Sequence, residues 1–291
     1  MITFIQLLFT GLSVGIVYSL VALGFVIIYK SSKIFNFAQG ELVMVGAFVT
    51  WSFLSLFKMP LLPGFLLSLA IMGVVGYNIE RFPFRRMIGQ PILAMIMATL
   101  ALAVFFKGLT LMLWSSYIGI RFPEVIAEKT IYVLGIPFSS LILLNFFLVL
   151  LLVIALSLLF HYTRIGLHMR AVAENQYVAR SMGIRVTRVI AQSWALAAIV
   201  CTIAGFLFGY YRGIDFGLAQ IGLIACVAGL VGGMESLKGA VVGGLIIGLA
   251  ETLTGYYIGY NLKEVMPFIV MVVVVCFKPY GLFGLQKIER V

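Results

Sequence analysis

Residues 141 to 160 read LILLNFFLVLLLVIALSLLF, twenty consecutive residues without a charged side chain. A transmembrane helix needs about 20 predominantly apolar residues to cross the hydrocarbon core of a bilayer. The whole chain has this character, because 63% of its 291 residues are hydrophobic and only 10% are charged. Soluble domains are roughly 45–50% apolar and about 25% charged. The composition therefore excludes a water-soluble fold and leaves no room for a large soluble domain.

The chain divides into about nine apolar stretches when it is broken at charge clusters, prolines and glycines. Two stretches are separated only by residues 235–238, and the last is short, so eight or ten spans remain open. We predict an all-α polytopic membrane protein with one transmembrane domain over residues 1–291. No Lys or Arg precedes Lys30, so the first stretch is expected to be retained rather than cleaved as a signal peptide. The stretches are about 2–29, 34–57, 61–79, 91–114, 141–160, 190–209, 217–234, 239–260 and 265–277.

The basic residues predict the orientation of the chain in the membrane. When the connections are taken alternately, one set carries fourteen Lys and Arg residues and the other carries five. Cytoplasmic loops carry the excess of positive charge in membrane proteins. We therefore expect the N-terminus outside and the C-terminus in the cytoplasm. The net charge of +10 has the same explanation, because the cations stand beside spans and form no nucleic-acid-binding motif.

Two connections between apolar stretches are longer than a simple turn requires. The external one, residues 115–140, contains an alternating segment at 130–137 that predicts a short hairpin and could dock an external partner. The cytoplasmic one, residues 161–189, predicts two short helices, with Gly183 as the left-handed residue that ends the second. Apolar residues four apart predict one apolar stripe on each helix. The loop is either a basic surface that lies on anionic lipid or a docking element for a cytoplasmic subunit.

The residues of this cytoplasmic loop resemble those of a known family. The matching residues are Gly166-Leu167, Arg170 to Asn175, Ala179 and Met182-Gly183-Ile184, and further matches lie at 18–24, 36–47, 232–245 and 278–284. Together they closely resemble the permease subunits of branched-chain amino acid ABC importers of the LivH type. The matches follow the family's order over most of the chain.

The resemblance implies a transport subunit rather than an enzyme, one that moves amino acids inward by ATP-driven alternating access in the bacterial inner membrane. It implies that ATP and Mg²⁺ are bound by two cytoplasmic ATPase subunits and that this chain holds no cofactor. Its further partners would be a second permease subunit in a heterodimer and an extracytoplasmic substrate-binding protein. The alternative is an ion-coupled secondary transporter or a channel for a small polar solute. The expected ATPase-coupling residues are Arg170, Ala171, Glu174, Asn175, Ala179, Gly183 and Ile184.

Polar residues inside apolar stretches are candidates for the translocation path. Asn36 and Gln39 stand at capping-box spacing, which predicts a helix that begins within the bilayer. A second such start follows Asp215, and residues 35–48 align with 216–229 with five identities in fourteen positions. By the charge count the two stretches run in opposite directions, as in inverted repeats with interrupted helices. The candidates are Asn36, Gln39, Glu41, Asp215 and Gln220; alternatively, these residues only satisfy backbone groups at membrane depth.

The sequence does not support ATP binding or metal binding by this chain. The chain contains no Gly-Lys dipeptide, so it lacks the phosphate-binding loop of P-loop ATPases. The histidines and cysteines have no metal-ligand spacing, so no metal site is predicted. Lys107 is expected to extend its amine toward the outer membrane surface. Glu251 is expected to pair with a cation that the sequence does not identify.

Overall fold

The computed structural model describes residues 2–87, 90–117, 119–123, 129–133 and 136–284, and helices dominate it. A π-helical turn (Ser52–Leu56) extends α2, and two 3-10 turns (Phe84–Met87 and Phe216–Ala219) follow α3 and precede α9. The strands are β1 (Thr130–Val133) and β2 (Ile136–Ser139). The helices are α1 (Ile2–Ser32), α2 (Gln39–Trp51), α3 (Leu61–Arg81), α4 (Ile92–Trp114), α5 (Ser140–Tyr162), α6 (Arg164–Glu174), α7 (Gln176–Ser181), α8 (Val186–Arg212), α9 (Gln220–Gly232), α10 (Leu237–Tyr257), α11 (Tyr260–Lys263) and α12 (Met266–Phe277).

Within the described residues, seven helices are long and apolar enough to cross a membrane. Two further apolar helices, Phe216–Gly232 and Met266–Phe277, are shorter. Each of the nine apolar stretches of the sequence therefore contains a helix, which confirms the all-α class. The predicted count of about nine spans is not confirmed, because these two helices fall short of spanning length. The seven long helices are Thr3–Ser32, Gln39–Leu56, Leu61–Met87, Ile92–Trp114, Ser140–Tyr162, Val186–Arg212 and Leu237–Tyr257.

The chain forms two compact units, each assembled from segments that are distant in sequence. Unit 1 comprises Met1–Val26, Glu128–Val153 and Ile224–Val291. Unit 2 comprises Ile27–Ala127 and Ile154–Leu223. The single transmembrane domain remains a prediction from the sequence.

In unit 2, α8 packs against both α2 and α3. Small residues allow the backbones to come close: a Cβ added to Gly76 would lie 2.6 Å from the Trp194 carbonyl oxygen, and one added to Gly46 would lie 2.6 Å from the Thr202 Cα. The Trp194 side chain is fully buried, and its ring stacks on that of Phe84 with 4.7 Å between centroids. The unit therefore has a tightly packed core in which α8 is the shared element.

In unit 1, α1 and α10 pack through glycine and serine. A Cβ added to Gly15 would lie 2.8 Å from the Gly244 carbonyl oxygen. The Ser19 hydroxyl donates a hydrogen bond of 2.8 Å to the Val241 carbonyl oxygen. Gly248 also faces Gly15 across this contact. At these positions the four-residue glycine spacing serves packing within the chain.

The predicted external hairpin is present. Thr130 pairs with Ser139 and Val133 with Ile136 in an antiparallel ladder. Residues 118, 124–128 and 134–135 of the external loop lie outside the described residues. The Gln6 amide donates a hydrogen bond of 2.8 Å to the Pro137 carbonyl oxygen, which attaches the hairpin to α1.

Candidate functional site

The start of α2 is stabilised by side chains within the preceding turn. The Asn36 Oδ1 accepts a hydrogen bond from the Ala38 backbone N–H at 3.2 Å, and the Asn36 Nδ2 donates to the Gln39 Oε1 at 2.9 Å. The helix begins at Gln39, and no side chain caps it. The predicted capping box is therefore wrong in detail, because the Gln39 side chain bonds to the Asn36 side chain, and the Asn36 backbone carbonyl oxygen instead accepts from the Gln39 backbone N–H at 3.1 Å. Both side chains are fully buried.

The start of α2 meets the start of α9 at two glycines. A Cβ added to Gly40 would collide with the Ala219 carbonyl oxygen and would lie 3.2 Å from the Gly222 Cα. A Cβ added to Gly222 would collide with the backbone of Gly40 and would lie 3.3 Å from the Gln39 carbonyl carbon. Only glycine fits at either position without a backbone shift. We call this contact the helix-start junction.

The two chain segments run antiparallel at this junction. The rings of Phe48 and Phe216 lie 5.6 Å apart, whereas Ala219 lies against Gly40. As the residue number rises from 216 to 222, the chain therefore moves from the later part of α2 toward its start. This agrees with the opposite directions that the sequence alignment predicts. The N-terminal ends of two helices consequently lie close together.

The predicted path residues do not form one cluster. Asn36 and Gln39 are buried, whereas Asp215 and Gln220 are exposed. Gly222 faces the junction, and Gln220 precedes it by two residues, which corresponds to about 200° of rotation on a helix of 3.6 residues per turn. Gln220 therefore lies on the opposite face of α9. In the described structure the buried Gln39 Nε2 has no hydrogen-bond partner, so a donor at the junction is left unsatisfied.

Glu41 is half-buried and lies beside Gly40 of the junction, on the first turn of α2. Lys107 is exposed on α4, as the sequence interpretation expects, and α4 packs against α2.

The cytoplasmic loop contains the two predicted helices, and α6 is fixed to the end of α5. The Thr163 hydroxyl caps α6 by accepting a hydrogen bond from the Gly166 N–H at 3.1 Å. Gly166 lies directly against the Phe160 carbonyl oxygen, where a Cβ would collide. The Arg170 guanidinium donates to the same carbonyl oxygen. Arg170 therefore anchors α6 to the end of α5, and its role in coupling stays a prediction.

Helix α7 is capped at both ends. The Asn175 Oδ1 accepts hydrogen bonds from the backbone N–H groups of Tyr177 and Val178 at 2.9 and 3.1 Å. Gly183 has a φ of +81°, and the Ile184 N–H donates to the Ala179 carbonyl oxygen at 3.0 Å, which completes a Schellman motif. The prediction that Gly183 ends this helix is confirmed.

Large apolar side chains cover the outer face of the loop. Tyr177, Val178 and Met182 are 84%, 57% and 77% exposed, and Leu167 is 54% exposed. The predicted pair Val178 and Met182 therefore faces outward. The inward face is formed by other residues, Gly166, Met169, Val172 and Ala179. We call the exposed set of Leu167, Tyr177, Val178 and Met182 the coupling patch.

The other predicted coupling residues are distributed over both sides of the loop. Glu174, Asn175 and Gly183 are exposed, and Ala171 and Ile184 are half-buried. Ala179 is 2% exposed, and its role in coupling stays a prediction. Its methyl group faces inward because α7 packs against α6 and α8 on that side.

Glu251 has partners that the sequence interpretation did not identify. Its Oε2 accepts a hydrogen bond of 2.7 Å from the Tyr18 hydroxyl, and its Oε1 lies 3.2 Å from the Lys263 Nζ. Glu251 is 3% exposed. The expected pairing with a cation is therefore confirmed.

Glu80 is a buried acid that the sequence interpretation missed. It is 1% exposed, and its Oε2 lies 3.1 Å from a guanidinium nitrogen of Arg85. Its position at the end of an apolar stretch, five residues before Arg85, was the available signal. In the part of the chain that the structure describes, no three His, Cys, Asp or Glu side chains lie together as metal ligands would.

Comparisons with known proteins agree on one family. A family model described as branched-chain amino acid transport system / permease component matches residues 7–275. The high-affinity branched-chain amino acid transport system permease protein LivH of Escherichia coli (strain K12) is 28% identical over 99% of this chain and 98% of its own length. The corresponding protein BraD of Pseudomonas aeruginosa is also 28% identical, over the same shares.

An archaeal protein shows the same relationship. The probable branched-chain amino acid transport permease protein LivH of Methanocaldococcus jannaschii is 30% identical over 95% of this chain and 93% of its own length. No solved structure matches the chain.

Proposed function

Because the chain belongs to the family of branched-chain amino acid transport permease components, we propose that it is the membrane subunit of an ABC importer that moves branched-chain or related amino acids inward. Two partner ATPase subunits bind ATP and Mg²⁺ and supply the energy. A second, similar permease subunit forms a heterodimer with this chain, and an extracytoplasmic binding protein delivers the solute. The N-terminus lies outside the bacterial plasma membrane and the C-terminus lies in the cytoplasm.

The observation that carries this proposal is the coupling patch. Two large apolar side chains project from α7, a six-residue helix that is far too short to span a membrane, and a third, Met182, projects from its C-cap. Exposed apolar groups that cluster outside the spans mark a surface that another protein covers. A secondary transporter or channel requires no cytoplasmic motor, so its loops would need no such patch. An ATPase subunit that closes on ATP requires a surface of this kind.

The loop is also attached in the way that a coupling element requires. Arg170 bonds to Phe160 at the end of α5, and the Gln176 Nε2 donates to the Ser31 carbonyl oxygen at 3.2 Å, at the end of α1. Helix α8 begins at Val186, three residues after Gly183. A force on the coupling patch therefore reaches three long helices. ATP-driven closure would tilt these helices and open the path alternately to each side.

The helix-start junction is the proposed gate of the translocation path. The first backbone N–H groups of a helix and its partial positive charge favour an anion. The unsatisfied Gln39 amide adds a donor at the same place. Together they suit the carboxylate of an amino acid in transit. Gly40 and Gly222 allow the two helix starts to close on each other, so a small separation of the backbones would open the gate.

The β1–β2 hairpin is the proposed contact for the binding protein. On this hairpin Tyr132 is 71% exposed and Ile131 is 43% exposed. Its hydrogen bond to Gln6 holds it on α1. Docking of the binding protein on the hairpin would therefore act on α1.

The experiment is uptake by proteoliposomes that hold the whole complex, with ATP inside and the binding protein outside. Labelled leucine, isoleucine, valine, urea and short amides are compared. We expect ATP-dependent accumulation of one or more branched-chain amino acids above an ATP-free control. Accumulation of urea or an amide alone would keep the permease role and change the substrate. Failure of every one of these solutes to accumulate with ATP would contradict the proposed function.

A further inference from the structure

A cleft of about 580 Å³ lies beside the cytoplasmic loop in unit 2. One wall is formed by the end of α3 and the turn after it, and the other by the end of α7 and the start of α8. Five arginines line the cleft. They are Arg81, Arg85, Arg180, Arg185 and Arg188, and Tyr77 also lines the cleft.

The positive charge of this arginine cleft is largely uncompensated. Arg85 pairs with the buried Glu80 at 3.1 Å. Among the described residues, no carboxylate lies within ion-pair distance of the other four arginines. The Arg85 Nε is buried and has no hydrogen-bond partner in that part of the chain. Several guanidinium groups that face a common cavity repel one another, so an anion in the cavity would stabilise the arrangement.

The backbone contributes to the same preference. Val186 and Thr187 are the first residues of α8, a helix of 27 residues, and both line the cleft. The residue before them, Arg185, makes no side-chain capping hydrogen bond. The first N–H groups of a long helix favour an anion. The helix start therefore adds to an attraction that the arginines already establish.

The depth of the cleft indicates the source of the anion. Arg81 ends the spanning helix α3, Val186 begins the spanning helix α8, and these two helices pack side by side. The cleft is thus at the level where apolar spans give way to the polar interface. Tyr77 lies at the same level, and tyrosine is enriched in this zone. Lipid phosphates occupy this depth, and basic pockets between helices on the cytoplasmic side bind anionic headgroups.

We propose that the arginine cleft binds a phosphate group, with the headgroup of an anionic phospholipid as its source. Arginine presents a planar fork that matches phosphate oxygens in a bidentate manner. This proposal depends on the membrane placement that is part of the proposed function. It does not depend on any feature of the ATPase subunits or of the transported solute. Because Arg180, Gly183 and Arg185 connect α7 to α8, a bound phosphate would fix that connection and make coupling depend on the lipid composition.

The test is native mass spectrometry of the purified full chain with phosphatidylglycerol or phosphatidylcholine added at equal concentrations. We expect preferential retention of phosphatidylglycerol, and a loss of about tenfold or more in the variant Arg81→Gln/Arg188→Gln, since two charge-assisted contacts are removed. Arg164→Gln is the matched control, because Arg164 is exposed on α6 and does not line the cleft. Its lipid retention should equal that of the original chain. Arg81→Lys/Arg188→Lys keeps the charge and should recover part of the retention, which separates phosphate binding from misfolding.

A third arm identifies the source of the phosphate. If millimolar inorganic phosphate binds with the same arginine dependence while phosphatidylglycerol is ignored, the phosphate site stands but its ligand is soluble. Equal retention of both lipids with no arginine-dependent phosphate binding would overturn the proposal. The proposal would also be overturned if the arginine substitutions weaken only the binding of the ATPase subunits, because the cleft would then recognise an acidic protein segment. Each outcome is measured without transport and is therefore independent of the proposed importer activity.

Discussion

Replacing Tyr177 with alanine should weaken the binding of the ATPase subunits to this chain. The side chain is 84% exposed, and a buried tyrosine typically removes 150–250 Å² from water. At about 25 cal/mol per Å², covering the exposed part would contribute roughly 3–5 kcal/mol, as an upper estimate. With incomplete burial in the complex we expect a loss of about 2 kcal/mol, or roughly thirtyfold in affinity. Folding should change by less than about 0.5 kcal/mol because the residue is on the surface.

The assay is titration of the permease in nanodiscs with purified ATPase subunits, read by fluorescence anisotropy. Tyr257→Ala is the matched control, because this tyrosine is 61% exposed at the end of α10 and lies outside the coupling patch. Its ATPase affinity should equal that of the original chain. An affinity for Tyr177→Ala within threefold of the original, or an equal loss in Tyr257→Ala, would refute the assignment of the coupling patch.

Three further predictions concern the gate, the loop and the buried ion pair. Gln39→Ala removes the unsatisfied buried amide and should lower amino acid uptake about tenfold with assembly intact; unchanged uptake and unchanged ATPase coupling would eliminate the path role. Gly183→Ala meets no steric obstacle, but it places a Cβ at a φ of +81°, which should destabilise the end of α7 by about 1–2 kcal/mol. We expect a fewfold fall in solute-stimulated ATP hydrolysis. Lys263→Met leaves the buried Glu251 without its cation and should lower the free energy of unfolding by about 3–5 kcal/mol, measured by thermal denaturation. Adding Glu251→Gln should recover most of that stability, and no recovery would argue against the ion pair.

Much of the fold could be predicted from the sequence because its determinants are local. An uncharged run such as residues 141–160 can satisfy its backbone in lipid only as a helix. The loop helix α7 also has local signals, since Asn175 caps its start and Gly183 ends it. The number of spans was less certain, because residues 265–277 form a helix of 12 residues whose length alone does not decide whether it crosses.

The site was predicted only in part because its contacts join residues that are far apart in sequence. The weak alignment of 35–48 with 216–229 indicated two antiparallel helix starts, and both are present. It did not indicate that Gly40 and Gly222 form the contact, because the register of two helices depends on how they pack. For the same reason the sequence does not show that Ala179 lies on the inner face of α7. The cation that pairs with Glu251 depended on the tertiary position of α11.

The central claim is that this chain is driven by ATP through partner subunits. It is tested most directly by comparing uptake of labelled leucine in two kinds of proteoliposome, one with the complete complex and one with this chain alone. We expect uptake only in the complete complex and only with ATP inside, and no uptake when the chain alone is given a proton or sodium gradient. Gradient-driven uptake by the chain alone would contradict it and identify a secondary transporter.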